Sequence, residues 1–346
     1  MQTKKDPSKT TWIGIDVAKN TFVAGIYIPG NPDENPRKIS DIPVAEFERT
    51  RGGVKALYEW TYYHRNKNNA EAGNMRAVME ATGRYSLELY DHLMDEMPLS
   101  EPAIEDGKVI SDYIKSLKLR NKTDQLDAAA IAKYGAERRP SPYLELPEEY
   151  KCLRELTRQR SAIKTQLVAA KARLGEVCNF SKIIKIQKDL IKCFEKAIKS
   201  LEKEITKCIN ESADLCEDVK FACSVPGVAE ITAATILAEC GPLDKYTSRQ
   251  LGAYSGLAPQ QRNSGTSVRG CRINKRGPAR LRQILYMSSI TTSSKDINFK
   301  ALHSRITQQG KKPLQARCAV MRKLLILVRA VVVNKTFYDK NFVKNA

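Results

Sequence analysis

The chain has 346 residues, with 58 Lys and Arg against 39 Asp and Glu, 42% hydrophobic residues and a net charge of +19. That is enough apolar material for real cores in two or more domains, and it excludes a disordered chain, a disulfide-stapled miniprotein and a collagen-like repeat. No run approaches the roughly 20 apolar residues that span a bilayer. The best run, Leu324–Val333, is short and is broken by Arg329, while Met1–Lys9 lacks the apolar stretch of a secretory signal. The nine cysteines form no C-x-x-C pair, and His64, His92 and His303 are the only histidines. Reduced thiols in a cytoplasmic protein are therefore expected, rather than disulfides or a structural zinc site.

In chain order, Thr11–Asp16 and Thr21–Ile28 read as strands joined by the turn Val17-Ala18-Lys19-Asn20. A third strand is expected over Lys38–Val44. Phe47, Val54, Leu57, Tyr58 and Tyr62 give helical spacing over Glu46–Tyr63. Arg76–Met79 is a short buried strand, Tyr85–Met97 a helix and Pro102–Ile104 a last strand, giving the order β-β-β-α-β-α-β-α of a mixed sheet with helices on its faces. A further helix begins in Lys122-Thr123-Asp124-Gln125-Leu126-Asp127.

From Leu146 to Asn210 the pattern changes. Leu153, Leu156, Ile163, Leu167, Ala170, Leu174 and Val177 follow heptad spacing, with Arg160 the one polar intruder. Leu190, Phe194, Ala197, Leu201 and Ile205 continue it after a break near Asn179–Ser181. Two long helices follow, forming either a hairpin or a dimer seam. Beyond Ala213, Val225-Pro226-Gly227-Val228 precedes a helix over Glu230–Cys240. A loop rich in Gly, Ser and Arg is expected over Gly256–Gly277, and then helices over Pro278–Ser289, Ile297–Gln309 and Pro313–Asn334. The expected divisions are therefore 1–145, 146–212 and 213–346.

Charge follows these divisions. Residues 1–145 carry 21 basic and 22 acidic residues, 146–212 carry 15 and 9, and 213–346 carry 22 and 8. So basic a C-terminal third calls for a polyanionic partner, most simply nucleic acid. Between Gln260 and Gln283 the basic residues are Arg262, Arg269, Arg272, Lys275, Arg276, Arg280 and Arg282, with no acid among them.

Four acids in the first segment stand apart. Asp16 and Glu80 each end an apolar strand, and Asp124 and Asp127 share one face at a helix start. Carboxylates gathered in an apolar context require a counter-charge, and hard oxygen donors suit Mg²⁺. Two such ions can activate a nucleophile and stabilise a leaving oxygen in phosphodiester transfer.

Gly14-Ile15-Asp16-Val17-Ala18-Lys19, Met79-Glu80-Ala81-Thr82-Gly83-Arg84-Tyr85 and Lys122-Thr123-Asp124-Gln125-Leu126-Asp127-Ala128 resemble the three acidic motifs of the DEDD-type insertion-sequence transposases. This is the insertion-sequence "one-ten" family, to which the Piv-type DNA invertases are related. Ser224-Val225-Pro226-Gly227-Val228 resembles that family's IPGVG stretch, with Ala229 where a second Gly is usual. Tyr254-Ser255-Gly256-Leu257-Ala258-Pro259, Asn263-Ser264-Gly265, Ile273-Asn274-Lys275-Arg276-Gly277 and Leu281-Arg282 follow its remaining motifs, with Asn274 where Ser is usual.

The resemblance implies an α/β RNase H-like (RuvC-like) N-terminal domain, a long helical coiled-coil segment and a mainly α C-terminal transposase domain. It implies a site in which Asp16, Glu80, Asp124 and Asp127 hold Mg²⁺ or Mn²⁺ and Ser264 is the nucleophile, with Ser255 and Ser267 as rivals. It further implies donor and target DNA as partners, a noncoding bridge RNA that specifies both by base pairing, and a homo-oligomer, dimer or tetramer, on DNA in a prokaryotic cytoplasm, with no membrane. The basic stretch 260–283 would grip phosphates. The alternatives are a metal-dependent junction endonuclease that uses the acids alone, a site-specific DNA invertase, and a nucleic-acid-binding protein without catalysis.

Overall fold

A computed structural model describes residues 10–29, 38–68, 74–119, 121, 123–176, 180–264, 268–275 and 277–339. They fall into two compact units, 1–145 and 146–346.

The first unit is built from β1 (Thr11–Val17), β2 (Thr21–Tyr27), β3 (Val44–Glu48), α1 (Arg51–Lys67), β4 (Met75–Glu80), α2 (Arg84–Glu96), β5 (Ala103–Glu105), α3 (Gly107–Ser116) and α4 (Asp124–Arg138). The strands lie in the order β3-β2-β1-β4-β5. β1, β2 and β3 pair antiparallel, while β4 and β5 join parallel to β1. This is the mixed sheet expected of an RNase H-like domain. Alternation along the strands divides the core in two. Ile13, Ile15, Phe22 and Met79 pack with Val54 and Leu57 of α1 and with Leu89 and Leu93 of α2. On the opposite face, Trp12, Val78 and Ala103 pack with Ile110 of α3 and with Ile131 and Tyr134 of α4.

Two expectations shift. The third strand is Val44–Glu48, not Lys38–Val44, and Ile39–Asp41 forms a single 3₁₀ turn. Pro43 has no N–H to give a ladder, so pairing proper begins after it. The first helix starts at Arg51 rather than Glu46, because the Thr50 hydroxyl accepts the Gly53 N–H at 3.1 Å and caps it there. Phe47 belongs to β3 and stacks on Phe22, ring centroids 5.5 Å apart.

The second unit contains α5 (Glu148–Glu176), α6 (Ser181–Glu211), α7 (Ala213–Cys223), α8 (Glu230–Cys240), α9 (Ser248–Tyr254), β6 (Pro259–Ser264), β7 (Val268–Ile273), α10 (Ala279–Lys295), α11 (Ile297–Gln308) and α12 (Pro313–Val333). Helices α5 and α6 pack on each other as an antiparallel hairpin. Arg160 meets Glu202 at 2.6 Å and Lys171 meets Glu195 at 2.8 Å. The polar intruder in the heptads thus reaches an acid of the facing helix. At its base the hairpin enters the same core as α8 and α12, through Tyr150, Leu153, Ile205 and Ile209. The segment 146–212 therefore packs as part of one unit with 213–346.

Expected loop 256–277 is a β-hairpin, with Pro259 paired to Ile273 and Ser264 to Val268. Its strands carry polar and basic residues in place of the apolar alternation that marks a strand against a core. Arg329, which interrupts the apolar run of α12, donates to the Tyr246 carbonyl oxygen. Among the described residues, the cysteines at 152, 193, 208, 216, 223, 240 and 318 are free thiols. No described helix is long and apolar enough to cross a membrane.

The seam between α4 and the sheet has no spare room. A Cβ placed on Gly14 would lie 1.9 Å from the Ala132 backbone nitrogen and 2.5 Å from the Ala128 carbonyl oxygen. Gly14→Ala is therefore expected to cost about 3 kcal/mol through overpacking against backbone that cannot step aside. Urea unfolding of the purified protein checks this.

Candidate active site

The placement of the acids follows from that seam. Trp12, Gly14 and Asp16 alternate onto the α4 side of β1, opposite Ile13, Ile15 and Val17. Gly135 sits against Trp12, where its Cβ would fall 2.5 Å from the ring, and Ala128 and Ala132 sit over Gly14. Helix α4 thus runs antiparallel to β1. Two residues on from Gly14, β1 reaches Asp16, and one turn back from Ala128, α4 reaches Asp124 and Asp127. Thr123 fixes where that helix begins, since its hydroxyl accepts the Leu126 N–H at 3.2 Å.

Ile15 is in register with Met79. One step further, Asp16 and Glu80 stand side by side on neighbouring parallel strands, on the same face. Glu80 in turn pairs with Glu105 of β5. Its Oε1 lies against the start of α3, where a Cβ on Gly107 would come within 2.5 Å of it. Asp16, Glu80 and Asp127 are half-buried and Asp124 is exposed. Lys122, from the third acidic motif, lies outside the described residues.

The donor set at this edge is all carboxylate oxygen, the chemistry that suits a hard divalent cation such as Mg²⁺ or Mn²⁺. Among the described residues no three Asp, Glu, His or Cys side chains stand together as a closed coordination group. The acids share an edge and a face, and they are not drawn into one shell.

Sequence reasoning missed Glu105. It ends a strand in the same way as Asp16 and Glu80, but β5 is only three residues long and gave little signal. Burial, and then the neighbouring Asp106, push its carboxyl above the usual carboxylate range, against hydrogen bonds from the Asp106 backbone and the Tyr134 hydroxyl.

Ser264 belongs to the second unit. It is the last residue of β6 and is in register with Val268 of β7, while residues 265–267 and Arg276 lie outside the described residues. Arg262 lies on β6, and Arg269 and Arg272 lie on β7. Lys275 and Arg280 are exposed beyond the hairpin. Arg282 is partly committed to structure, since its Nη1 donates to the Gly277 carbonyl oxygen at 2.8 Å and to that of Ser255 at 3.3 Å. Ser255, one of the rival nucleophiles, is fully buried, and its hydroxyl donates to the Gly252 carbonyl oxygen at 2.9 Å. The other rival, Ser267, lies outside the described residues.

The base of this hairpin is tied down. The Lys275 N–H donates to Gly256 at 3.2 Å and the Asn274 N–H to Ala258 at 3.3 Å. Gly277, at φ +104°, passes so close to the Tyr254 carbonyl that a Cβ would fall 1.8 Å from its oxygen. Tyr254 hydrogen-bonds through its hydroxyl to the Glu239 carbonyl oxygen at 2.8 Å. The Glu239 carboxylate is only 2% exposed and takes Nε and Nη2 of Arg158 at 3.1 Å each. This bidentate pair locks α8 to α5. The Pro226-Gly227 turn is likewise a packing element, because Thr292 of α10 donates to the Pro226 carbonyl oxygen at 2.8 Å and a Cβ on Gly227 would strike Thr292. The missing second glycine of that motif, Ala229, is the N-cap residue of α8, with no side-chain cap.

Two family models match the chain. One, for the DEDD transposases of IS110 elements, covers residues 13–180, and the other, described as "Transposase IS116/IS110/IS902 family", covers residues 219–304. The chain belongs to the IS110 family of DEDD transposases. This transposase is 29% identical over 333 residues to the pilin gene-inverting protein of Moraxella bovis, a match spanning 95% of this chain and 98% of the relative. The pilin gene-inverting protein of Moraxella lacunata matches to the same extent. The transposase of insertion sequence element IS1111A from Coxiella burnetii is 36% identical over 92 residues, 26% of this chain and 24% of that one.

Glu105 gives a pH-dependent prediction. A carboxyl with a raised pKa in the folded protein lowers stability once it ionises, and that cost disappears as pH falls through its folded-state pKa. Glu105→Gln, which keeps an acceptor for Tyr134, should therefore unfold at higher temperature than the parent at pH 7. The advantage should shrink toward pH 4, as thermal melts across that range would show.

Proposed function

We propose that this transposase cuts and rejoins DNA by attack of the Ser264 Oγ on a backbone phosphodiester. The Oγ–P bond forms as a P–O bond of the strand breaks, and the hydroxyl proton ends on the departing oxygen. The phosphoserine link conserves the bond energy for rejoining to a second strand. A serine hydroxyl needs a base or a cation to lower its pKa and position it. Asp16, Glu80, Asp124 and Asp127 would hold Mg²⁺ or Mn²⁺, which when bound supplies counter-charge to the phosphoryl oxygens and lowers the pKa of a nucleophilic hydroxyl. The observation that carries this reading is the common sheet edge of Asp16, Glu80 and the start of α4, in a chain of the DEDD family. Arg262, Arg269, Arg272, Lys275, Arg276 and Arg280 neutralise phosphates around the scissile bond, and Arg282 holds the base of their hairpin.

Target choice by base pairing of a noncoding RNA rests on the family resemblance, with the protein supplying backbone contacts. A homo-oligomer built on the α5–α6 hairpin is supported by apolar side chains left in solvent along it, Val168 at 61% and Ile186 at 66% exposure. The protein works on DNA in the prokaryotic cytoplasm. Inversion of a segment in place of transposition is favoured by the end-to-end match with the pilin gene-inverting proteins, and the DNA flanking the gene decides between the two.

Two experiments test the chemistry. Ser264→Ala should abolish the covalent protein–DNA adduct seen on denaturing gels, whereas Ser255→Ala should keep it and lose about 1 kcal/mol of stability for its buried hydrogen bond. Continued cleavage by Ser264→Ala would instead identify a nuclease that uses the acids alone. An Asp16→Ala protein mixed with a Ser264→Ala protein should recover recombination if one protomer's acids serve its partner's serine. Complete failure to recover would confine both to one chain.

A further inference from the structure

Helix α6 carries a lysine-rich face opposite its apolar one. At about 100° per residue, Lys185, Lys188, Lys192, Lys196, Lys199, Lys203 and Lys207 all project within about 60° of one line along the helix. Their spacing of three or four residues keeps that line straight over six turns, about 33 Å. All seven are exposed. Directly opposite lie half-buried Leu201 and the core residues Ile205 and Cys208. Of the five acids on α6, Asp189 alone falls on the lysine side, while exposed Glu204 and Glu211 lie on one flank. Glu195 and Glu202 point roughly a right angle away and are taken by Lys171 and Arg160 of α5 at 2.8 and 2.6 Å. Lys192 and Lys207 make only long pairs, 3.7 and 3.8 Å, with Asp189 and Glu211 of their own helix, in solvent where such pairs contribute little.

A helix that needs only solubility intersperses the two signs on its outer face. Here two of the five acids are used at the seam, and seven lysines stand outward in one file with a single acid, Asp189, among them. We propose that this file is a docking surface for the phosphate backbone of duplex DNA flanking the site of strand exchange. It rests on the reading of the chain as a DNA recombinase. A straight file of ammonium groups about 33 Å long matches roughly one turn of a duplex, whose phosphates recur every 3.4 Å along each strand. Single strands call for aromatic platforms as well as cations. The one aromatic residue in Ser181–Glu211, Phe194, falls on the side of α6 opposite the lysines. Lysines on such a file fix position and affinity without reading sequence.

The test is a fourfold variant of the full-length protein, Lys188→Gln, Lys192→Gln, Lys199→Gln and Lys203→Gln, which keeps helix propensity and leaves the seam with α5 untouched. Binding to a 40-base-pair duplex is measured between 50 and 300 mM KCl, with circular dichroism to confirm the fold. Each phosphate contact contributes about −0.9 to the slope of log K against log salt, so loss of all four contacts should reduce the slope by about 3.6 units. On a single strand of equal length it should lose less than 1. An unchanged slope on duplex DNA identifies the file as a solvated face and overturns the inference. Equal losses on single strand, or a loss confined to duplex RNA, overturn the assignment to duplex DNA. The covalent adduct formed by the parent protein reports separately on the recombinase reading. A parent that forms the adduct while the variant keeps its slope leaves the recombinase reading standing and the docking surface refuted, and a parent that binds no duplex refutes both.

Discussion

The first unit depends on one close approach, the crossing of α4 over β1 and β2. Gly14 and Gly25, paired across the two strands, leave the sheet without side chains where Ala128, Ala129 and Ala132 of α4 come down. Two bare strand positions under a run of alanines let backbone meet backbone, and that fixes the helix in height and direction. Everything at the acidic edge follows. The end of β1, the end of β4 and the first turn of α4 reach the same level because the crossing point is not adjustable. The level of the acids at this edge is therefore set by residues with almost no side chain.

The second unit solves a comparable problem by different means. A two-stranded hairpin of polar and basic residues has little hydrophobic face of its own and is marginal in isolation. Its roots are held by Gly277 against Tyr254, by the Arg282 guanidinium and by the run from Tyr254 through buried Glu239 to Arg158 on the long hairpin. A buried carboxylate is costly unless fully matched, and this one is matched by two guanidinium nitrogens. The serine-bearing strand is thereby tied through α8 to the long helix α5.

Much of this was legible in the sequence where the chemistry is local. Apolar runs gave β1, β2 and β4, heptad spacing gave both long helices, and Asp124 with Asp127 announced the start of α4. The strand after Pro43 was displaced because apolar residues on both sides of the proline look alike until its missing N–H is considered. The hairpin 259–273 read as a loop because a ribbon bearing arginines shows none of the alternation that a buried face imposes. Glu105 was hidden by the brevity of its strand. Whether acids separated in sequence reach one edge is set by a helix crossing angle, which no short-range pattern encodes. The glycines that fix it, Gly14 and Gly25, read simply as weak points in two strands.

The borders of the five-stranded sheet carry a last consequence. One border is β5, only three residues long and following Pro102, and the other is β3, whose Glu46 and Glu48 put negative charge on a short rim. Neither offers a long, flat, uncharged ladder to a passing strand. The N-terminal unit is thus guarded against runaway edge-to-edge stacking when many copies are crowded together.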